Sequence, residues 1–304
     1  MYKILNDLKS FDYFAQLVGN EELKERLTIL SGNGTLPHAI LIAGEDGCGR
    51  NLLARLLART LLKDSADLVS RGVHPDCVVV AGEGISGMIA VKRVREAAFE
   101  LNKSPVMTDN NRVAIIKDAG SLNKSSSNAL LKIIEQPPEG VTFILTARSE
   151  AELIDTVLSR CARFRVAPIE TERCVEFIKR IYPSYDDKRL RDLCVLYGGR
   201  IGLVKEVLST PERLSLSDSA VLLCKYAMEA DKLMMLSVLE CAKTRQELKQ
   251  LLFDLSMCMC RELEKSVLSE PLLSRLEDAV LEAYRDIDRN VNQKLLCTQL
   301  VARL

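Results

Sequence analysis

Residues 38–62 read HAILIAGEDGCGRNLLARLLARTLL. Five apolar residues, Ala39 to Ala43, lead into a turn holding Gly44, Gly47 and Gly49, and then into a run where Leu52, Leu53, Leu56 and Leu57 recur at helical spacing. A strand, a glycine-rich turn and a helix start in that order can cradle a phosphate in backbone N–H groups. The spacing is that of GxxxxGK[ST], with Arg50 in place of Lys and Asn51 in place of Ser/Thr. The usual lysine reaches the outer phosphates as a compact charge, and the usual hydroxyl ligates magnesium. Arg50 is bulkier and planar, and Asn51 offers only an amide oxygen. The candidate phosphate contacts are therefore Gly44, Gly47, Gly49, Arg50 and Asn51, in a degenerate loop expected to bind nucleotide weakly or not at all.

Further strand-length apolar runs stand at residues 77–81, 112–116, 141–146 and 163–166, and helical patterns at 52–62, 91–102, 126–135 and 151–158. Strands alternating with helices predict a parallel sheet covered on both faces. Pro168 closes this block. Helical patterns at 171–181 and 188–197, with a Gly198-Gly199 turn after them, predict a small helical unit. All 15 glycines lie at or before Gly202, so the last 102 residues have none. Leu248, Leu251, Leu252, Leu255, Met259 and Leu263 form one helical stripe there, Leu272, Leu276, Ala279, Ala283 and Ile287 another, and residues 293–304 a final helix. The fold class expected is α/β followed by all-α: a sheet domain over 1–167, a helical lid over 168–210 and a helical oligomerisation domain over 211–304.

Composition removes several function classes. Lys+Arg and Asp+Glu are 42 each, so bulk charge gives no reason to bind nucleic acid. No apolar run approaches the ~18 residues that span a bilayer, and MYKILNDLKSFDYF at the start has no apolar signal core, so a cytoplasmic protein without membrane contact is expected. Ten scattered cysteines contain no CxxC pair and are expected to be reduced thiols, while two histidines leave almost no material for a His-based metal site.

The segment Asn128-Ala129-Leu130-Leu131-Lys132-Ile133-Ile134-Glu135-Gln136-Pro137-Pro138 resembles the NALLKxLEEPP signature of bacterial clamp-loader AAA+ proteins. Ser159-Arg160-Cys161 is similar to their SRC motif, and Leu36-Pro37-His38-Ala39 to the entry of their P-loop strand. His74-Pro75-Asp76 resembles the HPD of the delta-prime type, and Asn290-Val291-Asn292 a C-terminal signature of the same family. The resemblance implies a AAA+ P-loop sheet domain, a lid and a C-terminal helical collar, within a DNA polymerase III assembly. Its implied partners are gamma/tau-type ATPase subunits and delta, with the sliding clamp and primer-template DNA met through the complex.

The same resemblance aligns Asp118 with the Walker B glutamate, Lys117 with the magnesium-coupled aspartate, Thr146 with sensor 1 and Gly202 with the sensor 2 arginine. Arg200 lies close by and could substitute for it. A lysine ~4 Å from a divalent ion at an effective dielectric of ~20 is repelled by up to ~8 kcal/mol. The resemblance makes Arg160, flanked by Ser159 and Cys161, a finger acting in trans on a neighbour's ATP; a surface arginine closing a helix C-terminus is the plainer reading. Residues 63–73 lack the cysteines of the family's zinc module, so neither zinc nor another cofactor is expected. Lys92, Arg93, Arg95 and Lys103 either track DNA phosphates or form a solvated face balanced by Glu96 and Glu100. The expected function is a non-hydrolysing clamp-loader subunit of delta-prime type. A gamma/tau-type ATPase and an unrelated P-loop enzyme stay open as alternatives.

Overall fold

The computed structural model describes residues 13–83, 87–108, 111–264, 270–289 and 291–303. Asn290 of the C-terminal signature, and residues 1–12 of the N-terminal stretch, lie outside the described residues. The described chain groups into two compact units, Met1–Glu170 with Gly199–Gly202, and Thr171–Gly198 with Leu203–Leu304.

The first unit contains α1 (Glu21–Gly32), β1 (Ala39–Ala43), α2 (Arg50–Leu61), β2 (Cys77–Val80), α3 (Val91–Leu101), β3 (Arg112–Ile116), α4 (Lys124–Glu135), β4 (Val141–Ala147), α5 (Asp155–Leu158) and β5 (Ala162–Arg165). The five strands make one parallel sheet in the order β2-β3-β4-β1-β5. Successive strand residues point to opposite faces, and here both faces are apolar. Ile40, Ile42, Val113, Ile115 and Ile144 pack with Leu53, Leu56 and Leu57 of α2. Leu41, Ala114, Ile116, Phe143 and Leu145 pack with Val94 of α3 and with Leu130 and Ile134 of α4. Each fully buried aliphatic side chain contributes about 1.5–3 kcal/mol.

The strands and most helices fall where the apolar runs place them. The 151–158 pattern differs: it is a 3-10 turn over Glu150–Glu152, two extended residues, and the short α5. Ser149 Oγ accepts from the Ala151 N–H, Glu152 Oε2 accepts from the Arg148 N–H, and Leu153 is drawn into the core, which interrupts the helix.

The second unit is helical: α6 (Thr171–Ile181), α7 (Asp187–Leu196), α8 (Ile201–Val207, whose first two residues belong to the first unit), α9 (Pro211–Met228), α10 (Lys232–Leu239), α11 (Arg245–Glu264), α12 (Glu270–Asp288) and α13 (Gln293–Arg303). Thr210 caps α9 by accepting from the Arg213 N–H, with Pro211 at the first helical position. A buried fork joins the unit's interior: Arg213 donates to both carboxylate oxygens of Asp254, at 2.5 and 3.0 Å. Among the described residues no helix is long and apolar enough to cross a membrane.

Candidate functional site

The glycine turn connects the C-terminal end of β1 to α2. Gly47 and Gly49 take φ of 82° and 101°, a region that side-chain-bearing residues avoid. The first residue of α2 is Arg50. Its guanidinium turns back into the loop: Nη1 donates to Gly44 O at 2.9 Å, and Nη2 to Asp46 Oδ1 at 2.8 Å and Asp118 Oδ1 at 2.6 Å. A cation at a helix N-terminus opposes the helix dipole, which favours anions there. Here the protein brings two carboxylates of its own to that cation. Burial works against the Arg50 charge, but the bonds from Asp118 and Asp46 outweigh it and raise its pKa. Arg148 adds a second cation to Asp46, Nε to Oδ2 at 3.0 Å.

Asp118 reaches this cluster because β3 and β4 run parallel and in register. Ile116 pairs with Leu145 and Ile42 with Thr146, so Thr146 lies between the ends of β1 and β3. Its buried hydroxyl donates to Asn51 Oδ1 at 2.9 Å and accepts from the Asp118 N–H at 3.0 Å. Asn51 and Thr146 thus bond to each other. Lys117 is half-buried at the end of β3, its N–H on Val80 O at 2.8 Å.

The segment Gly199–Gly202 closes on the same loop. The Gly202 N–H donates to Gly47 O at 2.8 Å, and a Cβ at Gly202 would lie 2.8 Å from Gly47 Cα and 2.9 Å from its carbonyl oxygen. Arg200 Nη1 pairs with Glu45 Oε2 at 3.0 Å. Every charge in this turn meets an opposite charge from the same unit.

Arg160 is at the other end of the sheet. It precedes β5, whose Ala162 pairs with Ile40, whereas the glycine turn follows Ala43. The length of strand between Ile40 and Gly44, about 13 Å at 3.3 Å per residue, keeps Arg160 from its own turn. Its Nη1 donates to Thr156 O at 2.9 Å and Ser159 Oγ at 3.2 Å, and its Nη2 pairs with Glu135 Oε1 at 2.7 Å. Its side chain is 39% exposed. Burial pushes the Cys161 thiol up to about 11, and burial with Glu45 nearby pushes Cys48 to about 11, so neither is a ready nucleophile.

The HPD triplet ties down a loop. Asp76 is fully buried and accepts from the N–H groups of Val106, Met107 and Thr108 at 2.7, 2.8 and 3.1 Å. Burial pushes its carboxyl up, yet these three donors and Arg112 carry it below the ordinary value. On the basic helix, Lys92 pairs with Glu96, Arg93 with Glu83 and Glu96, and Lys103 with Glu100. Among the described residues no three His, Cys, Asp or Glu side chains converge to hold a metal. Asp46, Arg148 and Glu135 enter these clusters without having been singled out in the sequence; the i, i+4 spacing of Asp46 and Arg50 was the one available signal.

A family model described as "DNA polymerase III, delta subunit" matches residues 19–170, half of the chain. DNA polymerase III subunit delta' of Escherichia coli is 30% identical over 181 residues, 56% of this chain and 54% of that protein. DNA polymerase III subunit gamma of Buchnera aphidicola is 28% identical over 192 residues, 59% and 52% respectively. The chain thus spans about half the length of these curated relatives. A solved DNA polymerase III gamma subunit-related protein from Thermotoga maritima superposes with a TM-score of 0.55 at 20% identity, covering 92% of this chain and 97% of that one, which extends the likeness of fold into the helical second unit. By its sheet, its glycine turn and the matched residues, the chain belongs to the DNA polymerase III delta-subunit family, among the clamp-loader members of the AAA+ proteins.

Proposed function

We propose that this chain is a non-hydrolysing, delta-prime-type subunit of a clamp loader. It lends Arg160 to the ATP of an adjacent gamma/tau-type subunit while leaving its own phosphate turn empty. Its sheet domain, lid and helical collar (1–167, 168–210 and 211–304) would stand beside the ATPase subunits and delta, and the complex would place a sliding clamp on primer-template DNA. The observation that carries this reading is the Arg50 guanidinium, bonded to Gly44 O, Asp46 and Asp118 where an incoming phosphate would need donors. Asn51 is engaged with Thr146 as well. The position of Arg160 favours work on another chain's nucleotide, because its own turn lies at the opposite sheet end.

The retained glycine spacing, and relatives named gamma and gamma/tau, favour the second reading, an active ATPase. The deciding experiment measures ATP turnover by the isolated folded chain, then by the complex reconstituted with its ATPase subunits. No turnover alone, together with a complex slowed by Arg160→Ala, is the expected result. Turnover by the isolated chain that Lys117→Ala or Arg50→Ala abolishes would give the second reading.

A further inference from the structure

The carboxylate of Glu135 lies 2.7 Å from Arg160 Nη2, and the reading of Arg160 as a finger in trans leaves that contact without a role. We infer that Glu135 is a positioning residue for Arg160, holding the guanidinium aimed outward before a neighbour's triphosphate arrives; this rests on the proposed function. Among the described residues, Arg160 donates to three acceptors: Thr156 O, Ser159 Oγ and Glu135 Oε1. A guanidinium has five N–H donors, so two remain for a phosphate oxygen. The three acceptors hold it from two elements at once. Thr156 and Ser159 come from α5 and the turn after it, and Glu135 is the last residue of α4.

Both supports are fixed from beneath. Ile134, next to Glu135, is 1% exposed, and its carbonyl meets His38 Nε2 at 3.1 Å. Val157 and Cys161 on either side of Arg160 are buried in the same cluster. A long exposed arginine left alone samples many rotamers and must give that freedom up at each encounter. Holding it in one orientation removes this cost from the chemical step, where a misplacement of 1 Å can lower a rate by about 10²-fold. The ion pair is half-exposed, and such pairs contribute little to folding stability, so the contact matters for geometry. The side-chain contact of Glu135 is with Arg160, so in this inference it acts through that residue.

The test is steady-state ATPase of the reconstituted complex with wild type, Glu135→Ala, Glu135→Gln, Arg160→Ala and the Glu135→Ala/Arg160→Ala double variant. Glu135→Ala should lower kcat by about three- to tenfold with KM for ATP unchanged. Glu135→Gln keeps an acceptor oxygen in place and should recover most of that loss. The double variant should be no slower than Arg160→Ala, since a residue acting through another adds nothing once that other is gone. A Glu135→Ala complex as fast as wild type or faster, beside a slow Arg160→Ala complex, overturns this inference and leaves the finger standing. A double variant slower than Arg160→Ala by the Glu135→Ala factor also overturns it. An Arg160→Ala complex at the wild-type rate removes the finger itself. Should Glu135→Ala not assemble, Glu135→Thr, too short to reach Arg160, is read in its place with the same expectation.

Discussion

Arg50 and Asp118 meet at 2.6 Å across 68 residues of chain, and their meeting changes what the glycine turn is. In an open phosphate turn the helix start offers donors to an external anion. Here the first helical residue is itself a cation, and Asp46 and Asp118 supply the negative charge. Each carboxylate keeps substantial exposure, 30% and 54%, so the cluster screens easily and adds only modestly to stability. Its main effect is occupancy: three of the N–H donors of Arg50 are engaged inside the fold, on Gly44 O, Asp46 and Asp118.

Arg50→Ala therefore should destabilise the isolated chain by only about 1 kcal/mol, seen as a small drop in the urea midpoint. Loss of the pairs is partly offset by removing a cation from a helix N-terminus. On the proposed reading the variant should still not turn over ATP, because Asn51 and Lys117 remain at the positions that the family resemblance aligns with a hydroxyl and a carboxylate. Gain of hydrolysis by this single change would contradict the account of the site.

Thr146→Val should cost more stability than Arg50→Ala while sparing function. The swap keeps the shape but removes a buried hydroxyl that donates to Asn51 and accepts from the Asp118 N–H. Leaving two such groups unsatisfied costs about 1–3 kcal/mol. The reconstituted complex should keep its ATPase rate, whereas a sensing role toward nucleotide in this chain predicts a slower complex. Unfolding curves and complex turnover measured together separate the two.

The strands were legible because both sheet faces are buried, which turns Ala39–Ala43, Arg112–Ile116 and Val141–Ala147 into nearly unbroken apolar runs. The turn was legible from glycine spacing alone. Where Arg50 points was not, since its partner Asp118 arrives through a strand order that inserts β4 between β1 and β3. Four helices escaped for separate reasons. Helix α1 buries only Leu27, so it has no apolar stripe to read. Helix α10, KLMMLSVL, is apolar nearly throughout and shows no clear period. Helix α8 begins inside the Gly199–Gly202 turn signal, and the Thr210-Pro211 cap of α9 was a readable start that periodicity overshadowed.

Asp76 makes stability depend on pH. Its carboxyl is held below the ordinary value by three N–H donors and Arg112, despite burial. A depressed folded pKa contributes stability that is full above the unfolded value, about pH 4, and is lost as pH falls through the folded pKa. Asp76→Asn should lower stability by about 3 kcal/mol at pH 7. On acidification from pH 7 to pH 3 the gap between wild type and variant should narrow. Urea titrations at stepped pH check this, and a constant gap would exclude Asp76 as the source.

Gly202, which the family resemblance aligns with the sensor 2 arginine, tests whether an arginine can be restored there by substitution. A Cβ there meets the Gly47 backbone at 2.8–2.9 Å, contacts that no side-chain rotation relieves. Gly202→Ala should therefore cost about 1–3 kcal/mol by overpacking, or force apart the Gly202 N–H and Gly47 O that now lie 2.8 Å apart. Gly202→Arg meets the same obstacle before its guanidinium reaches anything, so it should add instability and no ATPase activity. Amide hydrogen exchange at Gly202 gives the local readout: faster exchange in Gly202→Ala than in wild type is expected, and unchanged exchange with unchanged stability would show that the turn has room the distances deny.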